Sequence, residues 1–318
     1  MTPKQKYRIH CDKELTIPVF SKAWWLDATA GDNWDVVIVE RNNEIIASIP
    51  FVKKKNKIDF TILTQPPLTQ YLGPWLKISS EKYALKLAKE KDLLQELYRN
   101  LPKHDYYHQN WYFERKNWLP LYWMGYNQTT RYTYRINDLS NFDLIWSGLQ
   151  TNTKKRIKRC KENLGIVVRT DLNIDDLLQL NRKVFSRQGI KVPYKDDLVY
   201  RIDEAASQNN ARQIFIAEDP KGKQLGAMYL IWDSNSAYSI IEGSDPELRR
   251  IGANSLIRWE AIKFAASVTK NFDFEGSMIE GVERSYRAFG ATQTPYFSIT
   301  KTNSKALRFL KAIRSIIK

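Results

Sequence analysis

The sequence predicts a mixed α/β protein (α+β, mixed sheet) built as two copies of one unit. Three observations carry that expectation: the order of elements in the second half, a fainter repetition of that order in the first half, and the Pro- and Gly-rich stretches that punctuate both. In the second half, apolar residues recur at helical spacing over 143–164, and GIVVRTD then reads as a short strand. NIDDLLQLNRKVFSRQ is a helix with Asp175 and Asp176 near its start, where the helix dipole favours negative charge. The loop GIKVPY precedes a further helix over 196–209. RQIFIAED and QLGAMYLIWD are strands joined by the turn signal PKGK, and SAYSIIEGS completes a meander. ANSLIRWEAIKFAASV is an amphipathic helix, FDFEG a strand, VERSYRAF a helix and PYFSITK the last strand.

The first half repeats this order more weakly. FSKAWWLDATAG is helical, and DVVIVER, EIIASIPFVKKK and KIDFTIL read as consecutive strands. TQPPLTQYLGPW is too rich in Pro and Gly for regular structure. SEKYALKLAKEKDLLQELYRNL is a helix, and HDYYHQN and RYTYRIND are strands. No sequence identity links the halves, so the duplication rests on element order alone. The expected units are 1–140 and 141–318, joined over 138–142.

With 318 residues, 43% hydrophobic and 13% aromatic, the chain can bury a sizeable core and is long enough for two domains. Cys11 and Cys160 are too few for a disulfide framework or a zinc site, which fits a reducing cytoplasm. MTPKQKYRIH lacks the apolar stretch of a signal peptide, and no run reaches the roughly 18 apolar residues of a membrane span. The expected location is therefore cytoplasmic.

A net charge of +15 favours an anionic partner: nucleic acid, a phosphorylated substrate or an anionic membrane surface. The charge concentrates in TNTKKRIKRCKENLG, where Lys154, Lys155, Arg156, Lys158, Arg159 and Lys161 surround the apolar face of Leu149, Ile157, Cys160 and Leu164. Both a solvated helix face and an anion-binding face fit this pattern. It concentrates again in KALRFLKAIRSIIK, where Ala306, Leu310, Ile313 and Ile317 form a stripe flanked by Phe309 and Ile316. Lys305, Arg308, Lys311, Arg314 and Lys318 lie opposite. The preferred reading is a helix docked by its stripe with its charges solvated. The alternative is peripheral contact of residues 305–318 with the inner face of an anionic membrane.

The segment FDFEGSMIEGVERSYRAFG gathers candidate chemistry. Strand alternation puts Asp273 and Glu275 on one face and Phe272 and Phe274 on the core side. A carboxylate at a strand end, in a partly dry cleft, holds its proton more tightly and can act as a base. Glu242, which ends SIIEG, would lie close by if its strand neighbours this one. Structurally, these acids would instead pair with Arg249, Arg284 or Arg287, the preferred role for Asp273. Tyr286 is either a proton donor or a core aromatic. His104 and His108 share a face of HDYYHQN but lack a third ligand, so no metal site is expected.

The element order is similar to the GNAT acyltransferase fold. Two such units in tandem, with a cleft between them, resemble the Fem-type aminoacyltransferases, which build peptidoglycan cross-bridges, and their GNAT-like relatives. LQTNTKKRIKRC followed by GIVV looks like the basic helix and strand that open the second Fem unit. Gln65, Pro66, Pro67, Gly73 and Pro74 resemble the proline loop of that group, and FDFEGS with Gly281 and the Phe289-Gly290 pair is the best match. The departures are informative. Where Fem-type enzymes usually carry Phe-Lys, this chain has Ser285-Tyr286, and it lacks the long heptad arm of some members. YRAFG resembles instead the Tyr-x-x-x-Gly of GNAT enzymes, whose Tyr protonates the departing coenzyme A thiolate. RRIGAN keeps the Arg and the first Gly of the GNAT pyrophosphate loop but ends in Asn.

The resemblance implies acyl-CoA as a co-substrate, with no tightly bound cofactor, held by Arg249, Arg250, Gly252, Ala253 and Asn254. Free N–H groups at a helix start suit a phosphate, and glycine lets it approach the backbone. The candidate catalytic residues are Tyr286, Glu275, Glu242 and Asp273. Arg156, Arg159, Arg284, Arg287 and Tyr194 are candidates to hold an anionic small-molecule or lipid-linked acceptor. The expected reaction is acyl transfer to an amino group of a cell-envelope-related acceptor. The alternatives are a Fem-type enzyme that uses aminoacyl-tRNA on a peptidoglycan precursor, and a non-catalytic binding protein on the same fold.

Overall fold

A computed structural model describes residues 1–77, 80–187, 189–244, 251–276 and 278–316. By contacts the chain divides into Met1–Arg131 with Pro295–Lys318, and Tyr132–Thr294. The division differs from the linear expectation because each sheet is completed by the end of a strand that chain order assigns elsewhere.

The first unit opens with α1 (Pro3–Lys13), a helix the sequence reading did not foresee. Its start is a capping box: Gln5 N donates to Thr2 Oγ1 at 3.2 Å, and Thr2 N donates to Gln5 Oε1 at 2.8 Å. Then follow α2 (Ala23–Ala30), β1 (Trp34–Arg41), β2 (Glu44–Lys55), β3 (Thr61–Thr64), β4 (Trp75–Leu76), α3 (Tyr83–Arg99), β5 (Tyr106–Asn110) and α4 (Leu119–Trp123). Asn42 and Asn43, with φ of 51° and 62°, make the tight β1–β2 turn, in which asparagine tolerates the left-handed region. β3 begins later than expected because 56–60 is a turn, in which Asn56 Oδ1 accepts from the backbone of Ile58 and Phe60.

The sheet of this unit runs β1-β2-β3-β5, with β4 on β2. It ends on the C-terminal half of β12 (Thr292–Thr302), where Ser298 through Thr302 pair antiparallel with Asn110 through Tyr106. α11 (Lys305–Ile316) follows. One core lies under α3 and includes Leu63, Leu94, Leu97, Tyr107, Trp111 and Ile299; another lies under α1 and α2.

The second unit receives the end of β6 (Asn127–Ile136). The predicted helix over 143–164 is α5 (Phe142–Gly148) and α6 (Thr151–Lys158), the latter widening into a π turn over Arg159–Asn163. β7 (Val167–Arg169), α7 (Ile174–Arg187), α8 (Asp196–Gln208), β8 (Arg212–Glu218), β9 (Gln224–Trp232), β10 (Ser236–Ser244), α9 (Ala253–Ala265), β11 (Asn271–Asp273) and α10 (Glu280–Arg287) complete it. Its sheet order is β6-β11-β10-β9-β8-β7. β8, β9 and β10 form the predicted antiparallel meander, and β11 joins it parallel to β10. α9 buries Leu256, Ile257, Ala261 and Ile262 against the sheet, in a core that includes Phe215, Met228, Leu230 and Phe272. Among the described residues no helix is long and apolar enough to cross a membrane.

Candidate active site

The site forms where β10 and β11 part. Their pairing runs from Ser236↔Asn271 to Tyr238↔Asp273 and stops, while β10 continues to Ser244. A register shift between Ser239 and Ile241 marks a bulge against β9, a device that re-aims side chains. The other strand turns away at once. Glu275 adopts φ 53°, and Gly276 N donates to Thr133 Oγ1 at 2.8 Å. A Cβ on Gly276 would lie 1.8 Å from the Tyr132 carbonyl oxygen, so only glycine fits this close approach. The alternation expected for FDFEG therefore ends at Phe274: Glu275 has left the strand and does not share a strand face with Asp273.

Asp273 is fully buried and accepts from Thr133 Oγ1 at 2.5 Å and Glu275 N at 2.8 Å. Arg135 Nε lies 3.8 Å from its other oxygen. Among the described residues these partners differ from the predicted Arg284 and Arg287, while Arg249 lies outside the described residues. Glu275 differs. Its Oε1 is buried and has no hydrogen-bond partner among the described residues. Burial, reinforced by the Asp273 charge, pushes its carboxyl pKa well above the usual range.

Glu242 forms a bidentate ion pair with Arg258, which donates through Nε at 3.1 Å and Nη2 at 2.6 Å. Arg258 Nη1 also donates to Ser285 Oγ at 2.5 Å, and its guanidinium carbon lies 5.1 Å from the Tyr286 ring centroid. Burial opposes the charge on Arg258, but the Glu242 pairing outweighs it and raises the Arg258 pKa. Sequence reading missed Arg258. The available signal was an arginine between Ile257 and Trp259 in a helix read only as amphipathic.

Tyr286 is 8% exposed and stacks on Phe274 at 5.2 Å. Burial, then the Glu242 charge, raises its phenol pKa, while Arg258 pulls the other way. Tyr286 is thus a core aromatic whose hydroxyl feels Glu242, Arg258, Glu275 and Asp273 together.

Gly252 caps α9 with φ 88°, and Ala253, the first helical residue, is buried. A Cβ at Gly252 would meet Arg156 Cβ at 3.3 Å, so the stem of Arg156 lies along the helix start. Cys160 Sγ, 3.2 Å from the Ile251 carbonyl oxygen, ties the π turn to the same point. Asn254 Oδ1 fills the space over Gly226, which pairs with Ser244 at the end of β10. The α9 start therefore sits over the part of β10 that has left β11. Arg249 and Arg250 lie outside the described residues.

Arg156 and Arg159 are exposed, as are Lys155, Lys158 and Lys161, and none pairs with a carboxylate among the described residues. Arg284 and Arg287 pair along α10 with Glu280 at 3.4 Å and Glu283 at 2.8 Å, so neither reaches Glu242 or Asp273. Tyr194 OH donates to Asn181 Oδ1 at 3.2 Å, and Asn181 Nδ2 donates to the Glu242 carbonyl at 2.9 Å. Burial pushes the Tyr194 phenol up to about 12. In the first unit, His108 Nε2 contacts Ser298 Oγ at 3.1 Å and His104 Nδ1 the Pro102 carbonyl at 2.7 Å.

A strand meander, a departing parallel strand and a glycine-led helix start define a GNAT-type acyltransferase fold, and residues 147–277 match the family described as "Acetyltransferase (GNAT) domain". Among solved structures, the chain is similar to FemX at 13% identity and TM-score 0.68, over 93% of this chain and 96% of that one. It is also similar to the C-terminal domain of an Agrobacterium fabrum protein assigned as a lysylphosphatidylglycerol synthetase, at 12% identity and TM-score 0.59, over 98% and 97%. A tandem GNAT protein from the clavulanic acid biosynthesis pathway matches at 8% identity and TM-score 0.50, over 94% and 93%. At these identities the likeness establishes the fold. No curated protein matches by sequence.

Proposed function

We propose that the second unit transfers an acyl group from acyl-CoA to an amine of an anionic acceptor. The observation that carries this reading is Glu275: a carboxyl with a buried oxygen that lacks a hydrogen-bond partner among the described residues, a raised pKa, and a neighbouring tyrosine that burial keeps protonated. The attacking nitrogen would bond to the thioester carbonyl carbon and give its proton to the Glu275 carboxylate. The C–S bond would break, and the thiolate would take its proton from Tyr286. A carboxyl whose pKa is raised by burial makes a stronger base for the first transfer, and a phenol that keeps its proton suits the second. Gly252, Ala253 and Asn254 would receive the pyrophosphate at the α9 start, with Arg156 beside it. On this reading Glu242 and Arg258 hold the strand end in place, and Asp273 positions Glu275 through its backbone N–H.

A second reading keeps aminoacyl-tRNA as donor. It is favoured by the exposed cations of α6, which lack acidic partners among the described residues and suit a polyanion. Here Arg258 supplies the positive charge beside Ser285 and Tyr286, where the Fem resemblance expects a lysine. A lipid-linked acceptor fits either donor in view of the likeness to a lysylphosphatidylglycerol synthetase domain, and a peptidoglycan-type acceptor in view of the Fem resemblance.

The test is release of free coenzyme A from acetyl-CoA in the presence of amine-bearing, phosphorylated acceptors. Tyr286→Phe should lower turnover about 10²-fold while leaving donor affinity nearly unchanged. Unchanged turnover removes Tyr286 from the reaction. No release from acetyl-CoA, with transfer from aminoacyl-tRNA, selects the second reading.

A further inference from the structure

Helix α11 does not dock by its apolar stripe. Its cations touch the first unit while staying exposed: Lys311 Nζ lies 3.5 Å from the Tyr106 ring centroid and 3.1 Å from Thr302 Oγ1. Arg308 Nη2 donates to the Asn303 carbonyl at 3.1 Å. Leu307, one turn before Lys311, is half-buried, but Phe309, Leu310 and Ile313 face away, 68%, 40% and 37% exposed. Phe309 is too exposed to be explained as packing.

The strand register says what surrounds this face. Lys54 pairs with Ile62, Ile62 with Tyr106 and Tyr106 with Thr302, so Lys54 stands in the row that Lys311 covers. The β2–β3 turn lies at the same end of the sheet and carries Ile58, 58% exposed. Lys54, Lys305, Arg308 and Lys311 form no ion pair with a carboxylate among the described residues. Burial and the charges of Arg131, Lys311 and Lys54 lower the pKa of His108, two residues beyond Tyr106.

We infer that this end of the first unit is a membrane-docking surface that takes a bilayer rich in anionic lipids, with Phe309, Leu310 and Ile313 entering the headgroup region and the cations of α11 and β2 meeting lipid phosphates. Charge decides between occupants. A second copy of the chain would bring Lys305, Arg308 and Lys311 against their own equivalents, and like charges repel. A nucleic acid offers nothing apolar to Phe309. An anionic bilayer supplies both the charge and the apolar interior. The inference does not depend on which donor or acceptor the second unit uses.

The experiment is co-sedimentation of the full chain with vesicles of phosphatidylcholine alone and of phosphatidylcholine with phosphatidylglycerol. Wild type should partition at least tenfold more strongly onto the phosphatidylglycerol vesicles. The double variant Phe309→Ser with Leu310→Ser, at exposed positions and with an unchanged circular dichroism spectrum, should bind about tenfold more weakly. Lys305→Glu with Arg308→Glu should remove the preference for phosphatidylglycerol. Equal partition onto both vesicles, no partition onto either, or full binding by the Phe309/Leu310 variant would overturn the inference. So would a wild-type dimer in sedimentation velocity that the same variant makes monomeric.

Discussion

The two units part company at equivalent places. In each, a strand gains a short parallel partner: β3 with β5 from Ile62↔Tyr106 to Leu63↔Tyr107, and β10 with β11 from Ser236↔Asn271 to Tyr238↔Asp273. Beyond that pairing, the first unit is held by neutral groups, although Asn110 Oδ1, like Glu275 Oε1, is buried without a hydrogen-bond partner among the described residues. Asn110 N donates to Gln65 Oε1 at 2.6 Å, Gln65 Nε2 to the Thr69 carbonyl at 2.5 Å, and Leu72 N to the Asn110 carbonyl at 2.7 Å. Gly73 then lies against the Trp111 indole. At the corresponding place the second unit carries charge: the Glu242–Arg258 pair, buried Asp273 and the Glu275 oxygen that has no hydrogen-bond partner among the described residues. Amides and an indole make a scaffold. A cluster of ions in a dry place costs stability, and a fold that keeps one has a use for it.

That contrast can be broken most sharply at two glycines. Gly276→Ala should cost about 3 kcal/mol or more, because its Cβ meets a backbone carbonyl that cannot yield. Gly73→Ala should cost less, about 2 kcal/mol, because it meets the edge of the Trp111 ring and bears a φ of 96°. Thermal unfolding compares them, and a reversed order would contradict the view that the β11 corner is the tighter of the two.

Next in size is Arg258→Ala, which leaves Glu242 partly buried without its partner and should cost about 3 kcal/mol. Adding Glu242→Gln should recover most of that loss. Denaturant titration of the single and double variants reads the difference; strictly additive losses would mean that the pair contributes nothing as a pair.

The smallest effect is the most diagnostic of Glu275. Its folded pKa is raised, so the folded state resists ionising it. The associated stability is present below the ordinary carboxylate range and is lost as pH rises towards the folded value. Glu275→Gln cannot ionise, so its melting temperature relative to wild type should increase between about pH 4 and pH 8. A constant difference across that range would show that Glu275 titrates normally.

Much of this was legible in the sequence, and the misses have physical causes. The meander, α9 and a strand at β11 follow from strong periodicity and clear turn residues; that β11 runs parallel to β10 was not read from the sequence. α1 was not foreseen because only Tyr7 and Cys11 are buried along it, so its apolar pattern is faint although its capping box is written in the residues. The alternation assumed through Glu275 failed because Gly276 fits only against the Tyr132 backbone, a constraint set by a strand far away in the chain. The partners of Asp273 and Glu242 were illegible for the same reason. Thr133 lies 140 residues from Asp273, and Arg258 reaches Glu242 only once α9 has packed on the sheet. α11 was misjudged because a helical pattern identifies the apolar side without saying which side the body takes.

The most direct test of the proposed division of labour is calorimetric titration of the full chain with coenzyme A and acetyl-CoA, read for stoichiometry. The account predicts one site per chain. Binding should weaken about tenfold or more in Arg156→Glu, whose side chain is exposed beside Gly252, and stay unchanged in Gln65→Ala, which loosens the closed corner of the first unit. Two sites per chain, or binding lost in Gln65→Ala and kept in Arg156→Glu, would contradict it.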